Sequence, residues 1–301
     1  MQQFLQNLII GLQVGAVYAL IAVGYTMVYG VLRLINFAHG DVYMLGAFIG
    51  LTLSRRVGFT AAGNPLIFAG IFLVTTAVCA VIGMIIERVA YRPLRSAPRI
   101  TALITAIGIS LLLEAVAQMI WGANPQFFPT MFGISTIQFL GVTISSSYLL
   151  ILLASILLMG VLWYIVTGTR MGKAMRAVAW DREAAALMGV NTDRVISFTF
   201  ALGSALAGAA GLLVSALTNV RIAPLVGVLP GLKAFVAAVL GGIGSIPGAT
   251  VGGLVMGIAE TFVAANPSLT TWRDAIAFIL LILILIFRPA GIMGRSVPEK
   301  V

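Results

Sequence analysis

Nine apolar runs dominate the sequence, at about 8–31, 36–54, 65–87, 100–120, 147–168, 195–218, 231–243, 248–264 and 272–287. Most approach the ~20 residues that a helix needs to cross a bilayer's hydrocarbon core. Only 9% of the 301 residues are charged, against roughly 25% in a soluble domain, too few to cover a water-facing surface. The expectation is an all-α polytopic membrane bundle, a single domain over 1–301, with eight or nine crossings. Two runs are short or interrupted: 36–54 opens on polar residues and 231–243 ends in "GGIG". Either is expected to be a discontinuous or re-entrant element, tolerated at membrane depth only where protein or a water-filled cavity covers the free backbone groups.

The +9 net charge raises the question of nucleic acid, and the placement of the charge answers it. Twelve of the eighteen basic residues fall in three segments: four arginines in 88–99, five basic residues in 169–194, and Arg288, Arg295 and Lys300 in the C-terminal tail. Residues 115–169 carry no charge at all. Lysine and arginine mark the cytoplasmic loops of membrane proteins, so 88–99, 169–194 and the C-terminus are expected inside and 122–146 outside. Arg55 and Arg56 fall on the outer side by alternation, as tolerated surface charge or as a contact for an acidic partner. The first run lacks the basic n-region and short apolar core of a signal peptide and reads as a retained membrane segment.

Chemistry-bearing residues are sparse. Cys79 and His39 are the single cysteine and single histidine, so neither a disulfide framework nor a zinc motif is available. The glycines of "GGIGSIPGA" (241–249) are followed by no lysine, which a phosphate-binding loop requires. The energy for any transport must come from a partner or a gradient. No catalytic constellation is present, and the chain reads as no enzyme. Small residues four apart, Ser204 with Gly208, Ala207 with Gly211, Gly248 with Gly252 and Gly253 with Gly257, predict close helix packing, within the chain or against a second subunit.

The stretch "TRMGKAMRAVAWDREAAALMGVNTDR" (169–194) is the most polar part of the chain. Met171, Met175 and Val178 share a helical face opposite Lys173 and Arg176. Asp181 is a good N-cap, Glu183 suits the positive end of a helix dipole, and Gly189 is a natural C′ residue. A helix from Arg182 to Met188 follows, with Ala185 and Met188 on one face. Two turns are not stable alone in water, so this helix lies along the headgroups or docks in a groove on a cytoplasmic partner.

"EAAALMG" resembles the E-A-A-x-x-x-G core of the loop by which permeases of bacterial ABC importers contact their ATPases. The family's following I-x-L-P element is missing; Thr199 to Leu202 read "TFAL". "YGVLRLINFAHGDVYMLGAF" (29–48), "AFVAAVLGGIGSIPGATVGGLVMGIAE" (234–260) and "GKAMRAVAWDREAAALMGV" extend the resemblance over nearly the whole chain, to branched-chain amino-acid permeases of the LivH type. The resemblance implies a subunit that moves Leu, Ile and Val inward across the bacterial inner membrane. Asp181, Arg182, Glu183, Ala184, Ala185, Met188 and Gly189 would then couple it to ATPase subunits. It also implies a second permease subunit in a heterodimer, two cytoplasmic ATPases holding ATP and magnesium, and a periplasmic amino-acid-binding protein meeting "NPQFFPTMFG" (124–133). This chain would bind no cofactor of its own.

For a translocation path or gate, "RLINFAHGD" offers Asn36, His39, Gly40 and Asp41, and Glu114 is the candidate buried carboxylate, because ionisable groups at membrane depth usually face a polar interior. Two alternatives stay open at this stage. One is a gradient-driven secondary carrier using His39, Asp41 or Glu114; the other is an ABC permease for another small solute such as urea or amides.

Overall fold

The structure, a computed structural model, describes residues 1–58, 64–95, 97–129, 135–139, 142–218 and 220–294. Each apolar run holds one helix: α1 (Gln2–Leu32), α2 (His39–Arg56), α3 (Pro65–Ile86), α4 (Arg99–Trp121), α5 (Ser146–Gly168), α8 (Thr192–Thr218), α9 (Val228–Gly241), α10 (Ile246–Ala265) and α11 (Ala275–Phe287). The polar 169–194 stretch forms α6 (Arg170–Trp180) and α7 (Arg182–Leu187). Six of these helices, α1, α3, α4, α5, α8 and α10, are long and apolar enough to cross a membrane. α9 and α11, of 14 and 13 residues, extend only about 20 Å at 1.5 Å per residue, short of a ~30 Å hydrocarbon core.

The all-α expectation needs one correction. Thr136–Phe139 (β1) and Val142–Ser145 (β2) pair as an antiparallel hairpin within the uncharged loop. Alternating Thr, Ile, Gln and Phe have the period and residue types of a strand, and the run is too short to register among long apolar segments. Gln6 Nε2 donates to the Thr143 carbonyl at 2.7 Å, placing the start of α1 beside this hairpin.

The interior of the bundle is built from α1, α2 and α8, whereas α3, α4 and α5 turn most of their large apolar side chains outward, as lipid-facing helices do. The four small-residue pairs all pack within the chain. α10 runs antiparallel to α1 so closely that a Cβ on Gly15 would lie 2.8 Å from Leu254 Cα, and one on Gly11 2.9 Å from Ile258 Cα. Gly253 and Gly257 meet Ala19 and Gly15 in the same seam, Gly208 and Gly211 meet Cys79 and Tyr43, and Gly248 and Gly252 meet Gly241 and Ala237. Such seams gain dispersion energy from backbone approach, which association in lipid requires because apolar burial supplies no drive there.

The two ends of the bundle differ. At one end Arg95 pairs with both Glu87 and Asp193, Arg92 Nη2 lies 2.5 Å from Asp193 Oδ2, and Ser197 Oγ donates to Glu87 Oε2 at 2.5 Å. This latch ties the arginine-rich 88–99 segment to the start of α8. At the other end Arg55 Nη1 donates to Gln126 Oε1 at 2.6 Å, within the chain, and Gln126 bridges to Ile222. Arg295, Lys300 and residues 130–133 of the outer-loop candidate lie outside the described residues.

Candidate functional site

α1 stops at Leu32 because Arg33 adopts a left-handed conformation, φ 54°, the one positive φ among the described non-glycine residues. The chain then turns back without helix through 34–38, and α2 starts against the middle of α1. His39 Nε2–H donates to the Ile21 carbonyl at 3.2 Å, and its ring meets Tyr25 edge-on, 4.6 Å between centroids. Gly24 leaves room for that imidazole. α2 therefore begins well inside the bundle. α9 begins at the same level: a Cβ on Gly40 would fall 2.7 Å from the Gly227 carbonyl oxygen, and one on Gly231 2.8 Å from Gly40 Cα. Only glycine lets the two helix starts approach so closely.

Beside this junction is a cavity of about 180 Å³. Tyr25, Phe37, Gly40 and Asp41 form one wall, α4 supplies Ser110 and Glu114 with Ile107 and Leu111, and the start of α9 closes it. Asp41 is 2% exposed, and Ser110 Oγ donates to its Oδ2 at 2.5 Å. Of the five path candidates, the structure brings Gly40, Asp41 and Glu114 to the cavity. Glu114 is only partly buried. Asn36 and His39 are buried elsewhere: Asn36 Oδ1 accepts from Tyr91 Oη at 3.0 Å, and His39 fills the α1–α2 contact.

At the basic end, α6 buries Met175 and Val178 and exposes Lys173 and Arg176. Asp181 Oδ1 accepts from Ala184 N at 2.9 Å, capping α7. Gly189, φ 84°, closes it: its N–H donates to the Ala186 carbonyl and that of Val190 to the Ala185 carbonyl, the paired bonds of a Schellman ending. Ala185 is buried, while Arg182, Glu183 and Ala184 are exposed. The expected helix through Met188 is one residue too long. The left-handed turn makes Met188 the C-cap and swings it out to 84% exposure, so it does not share the buried face of Ala185. Leu187, at 88%, is equally bare.

A third cluster escaped the sequence reading. Glu260 Oε1 accepts from Lys233 Nζ at 2.9 Å and from Arg273 Nε at 2.6 Å, while its Oε2 accepts from Tyr18 Oη at 2.7 Å. Lys233 also reaches Asp274 Oδ1 at 2.6 Å. The Lys233 hydrogen bond holds the Asp274 carboxyl below the ordinary carboxylate range. The available signal was a lone lysine and a lone glutamate of opposite sign in adjacent apolar runs, each costly unless paired.

Six helices long and apolar enough to cross a membrane, packed with shorter apolar ones, define a polytopic helical membrane protein; the cavity beside Asp41 opens past the exposed Ile107 and Leu111 of α4. Residues 7–285 match the family described as branched-chain amino acid transport system / permease component, and the chain belongs to that family. It is 45% identical to the high-affinity branched-chain amino acid transport system permease protein BraD of Pseudomonas aeruginosa, over 99% of this chain and 98% of that protein. It is 43% identical to the corresponding LivH protein of Escherichia coli K12 and 42% identical to that of Salmonella typhimurium LT2, with the same coverage.

Proposed function

We propose that the chain is one membrane-spanning subunit of an ATP-binding-cassette importer that carries leucine, isoleucine and valine inward across the bacterial inner membrane. The observation that carries this reading is the full-length likeness to permeases whose names state branched-chain amino-acid transport. The other parts are a second permease subunit, two cytoplasmic ATPases that hold ATP and magnesium, and a periplasmic binding protein that delivers the cargo.

The whole chain acts as one permease domain. Residues 88–99 and 169–194 and the C-terminus face the cytoplasm, in keeping with their arginines and lysines. The N-terminus then lies outside, beside the hairpin it contacts through Gln6 and Thr143. Nine traverses result, with α2 and α9 as discontinuous elements that start within the bilayer. The segment from Asn124 to Pro129, with Phe127 exposed, offers the outer contact for the binding protein.

α7 is the coupling helix. Asp181 and Gly189 fix its ends, Arg182, Glu183 and Ala184 present its outer face, and Leu187 and Met188 supply bare apolar anchors for a groove on the ATPase. Ala185 seats the helix on the membrane domain. When ATP draws the motor subunits together, α7 moves with them. α6, packed on α5 and α8, passes that movement to rigid helices, which convert it into alternating access. The junction of α2 and α9 at Gly40 is the gate element.

The test is uptake of radiolabelled leucine into proteoliposomes containing the assembled subunits, with the binding protein outside and no ion gradient. Accumulation that requires internal ATP and the binding protein supports the importer. Accumulation that ignores ATP and follows an imposed proton gradient overturns it.

A further inference from the structure

Among the described residues three carboxylates are buried to 2% exposure or less: Glu87, Glu260 and Asp41. Glu87 is paired with Arg95, and Glu260 with Lys233 and Arg273. Asp41 has no cation within ion-pair range among the described residues; its side-chain partner is the Ser110 hydroxyl. It is also the one of the three that borders the cavity described above, and among the described residues no basic side chain lines that cavity. A second acid, Glu114, stands one helical turn from Ser110 on α4 and lines the same space. An uncompensated buried charge is costly, and ionisable groups inside membranes face a polar interior and mark substrate, ion or proton pathways.

The remaining walls have complementary chemistry. Ile107, Leu111 and Leu232 are aliphatic. The first turn of α9, with Gly227 and Val228, borders the cavity from the other side. Pro230 has no N–H and the Val228 N–H donates to the Leu225 carbonyl, so it is the helix dipole rather than a set of free amides that favours a carboxylate there. Negative charge, positive dipole and an aliphatic wall thus meet in one space of about 180 Å³.

We propose that this cavity is an intramembrane binding site for a zwitterionic aliphatic amino acid, with Asp41 and Glu114 receiving its α-ammonium group, the start of α9 its carboxylate and the α4 side chains its alkyl group. The site rests on the importer reading and specifies what that reading leaves open: the permease itself contacts the cargo by its charged ends. The cargo's ammonium is the cation that Asp41 lacks.

Saturation-transfer NMR on the assembled transporter in lipid nanodiscs, without the binding protein, tests this with three probes. These are L-leucine, 3-methylbutylamine, which lacks the carboxylate, and 4-methylpentanoate, which lacks the ammonium. Leucine is expected to bind best, the amine to bind measurably and the acid not to compete. Asp41→Asn should weaken leucine by about tenfold or more, the scale of a lost charged hydrogen bond, and Glu114→Gln by less. Equal binding of 4-methylpentanoate and leucine overturns the proposal, as does undiminished leucine binding by Asp41→Asn, the result expected of a neutral, structural acid. If Asp41→Asn fails to assemble, the probe series on the unaltered complex and the Glu114→Gln variant decide between the same outcomes. ATP-driven leucine uptake by the unaltered complex reports separately on the importer reading, so its success beside a failed probe series removes this site alone.

Discussion

Lys233 of α9 and Glu260 of α10 stand 2.9 Å apart, Nζ to Oε1, with both side chains almost fully buried. Arg273, Asp274 and Tyr18 complete a set in which two positive charges meet two negative ones. Truncating Glu260 alone leaves Lys233 without its buried counter-charge, with only the more exposed Asp274 to pair with. Glu260→Ala is expected to destabilise the fold by about 3–5 kcal/mol, whereas replacing the pair together, Lys233→Met with Glu260→Met, should recover most of that loss. A double-mutant cycle by thermal unfolding in detergent measures it. Additive losses in the double variant would mean that the two side chains act independently.

The acid side of the same cluster predicts a pH response. The folded-state pKa of Asp274 is depressed by the Lys233 hydrogen bond. Its contribution to stability is therefore present above the unfolded value, about 4, and is lost as pH falls through the lower folded value. Melting temperature should decline below pH 4 in the natural protein, and Asp274→Asn should lack that part of the decline. Because Asp274 is more than half exposed, the difference is expected to be small. Superimposable acid limbs for the two proteins would contradict the assignment.

Glycines in the bundle divide into two kinds with opposite expected effects. Gly15 faces α10 across a seam with no room for a side chain, while a Cβ added to Gly108 on α4 would meet nothing within 4 Å. Gly15→Val is expected to cost about 1–3 kcal/mol or more from overpacking, while Gly108→Ala should be neutral or gain up to ~1 kcal/mol in helix propensity. Thermal stability measured by size-exclusion recovery after heating separates the two. A stable Gly15→Val variant would contradict the close α1–α10 approach.

The coupling assignment predicts loss of transport without loss of insertion. Glu183→Lys reverses the charge on the exposed face of α7, and Gly189→Trp forces a bulky residue into φ 84°, a conformation glycine adopts without steric cost. Both variants are expected to reach the membrane at normal levels and to lose ATP-driven uptake by the assembled complex. Asp181→Ala, which removes the cap, should weaken α7 by about 1 kcal/mol and reduce uptake partially. Normal uptake in both Glu183→Lys and Gly189→Trp would remove α7 from the coupling role.

The sequence by itself determined the positions of the membrane helices, because a bilayer rewards unbroken apolar runs whatever they pack against. It also specified α7 nearly to the residue, since an aspartate cap, helix-forming alanines and a glycine stop act locally. Met188 shows the limit: whether the last residue of a turn faces in or out depends on where the left-handed glycine breaks the helix. Only the tertiary structure decided which ionisable residues share a space. Lys233 and Glu260 are 27 residues apart, and Asp41 and Ser110 are 69 apart; no period or motif links such positions. Their meeting depends on glycine seams that set how closely helices approach, and on a break after Arg33 that starts α2 inside the bundle. Asn36, His39 and Asp41 lie within six residues of one another, yet only Asp41 faces the cavity: Asn36, in the non-helical link, is held by Tyr91, and the rotation of α2 against α1 and α9 turns His39 onto α1 and leaves Asp41 open.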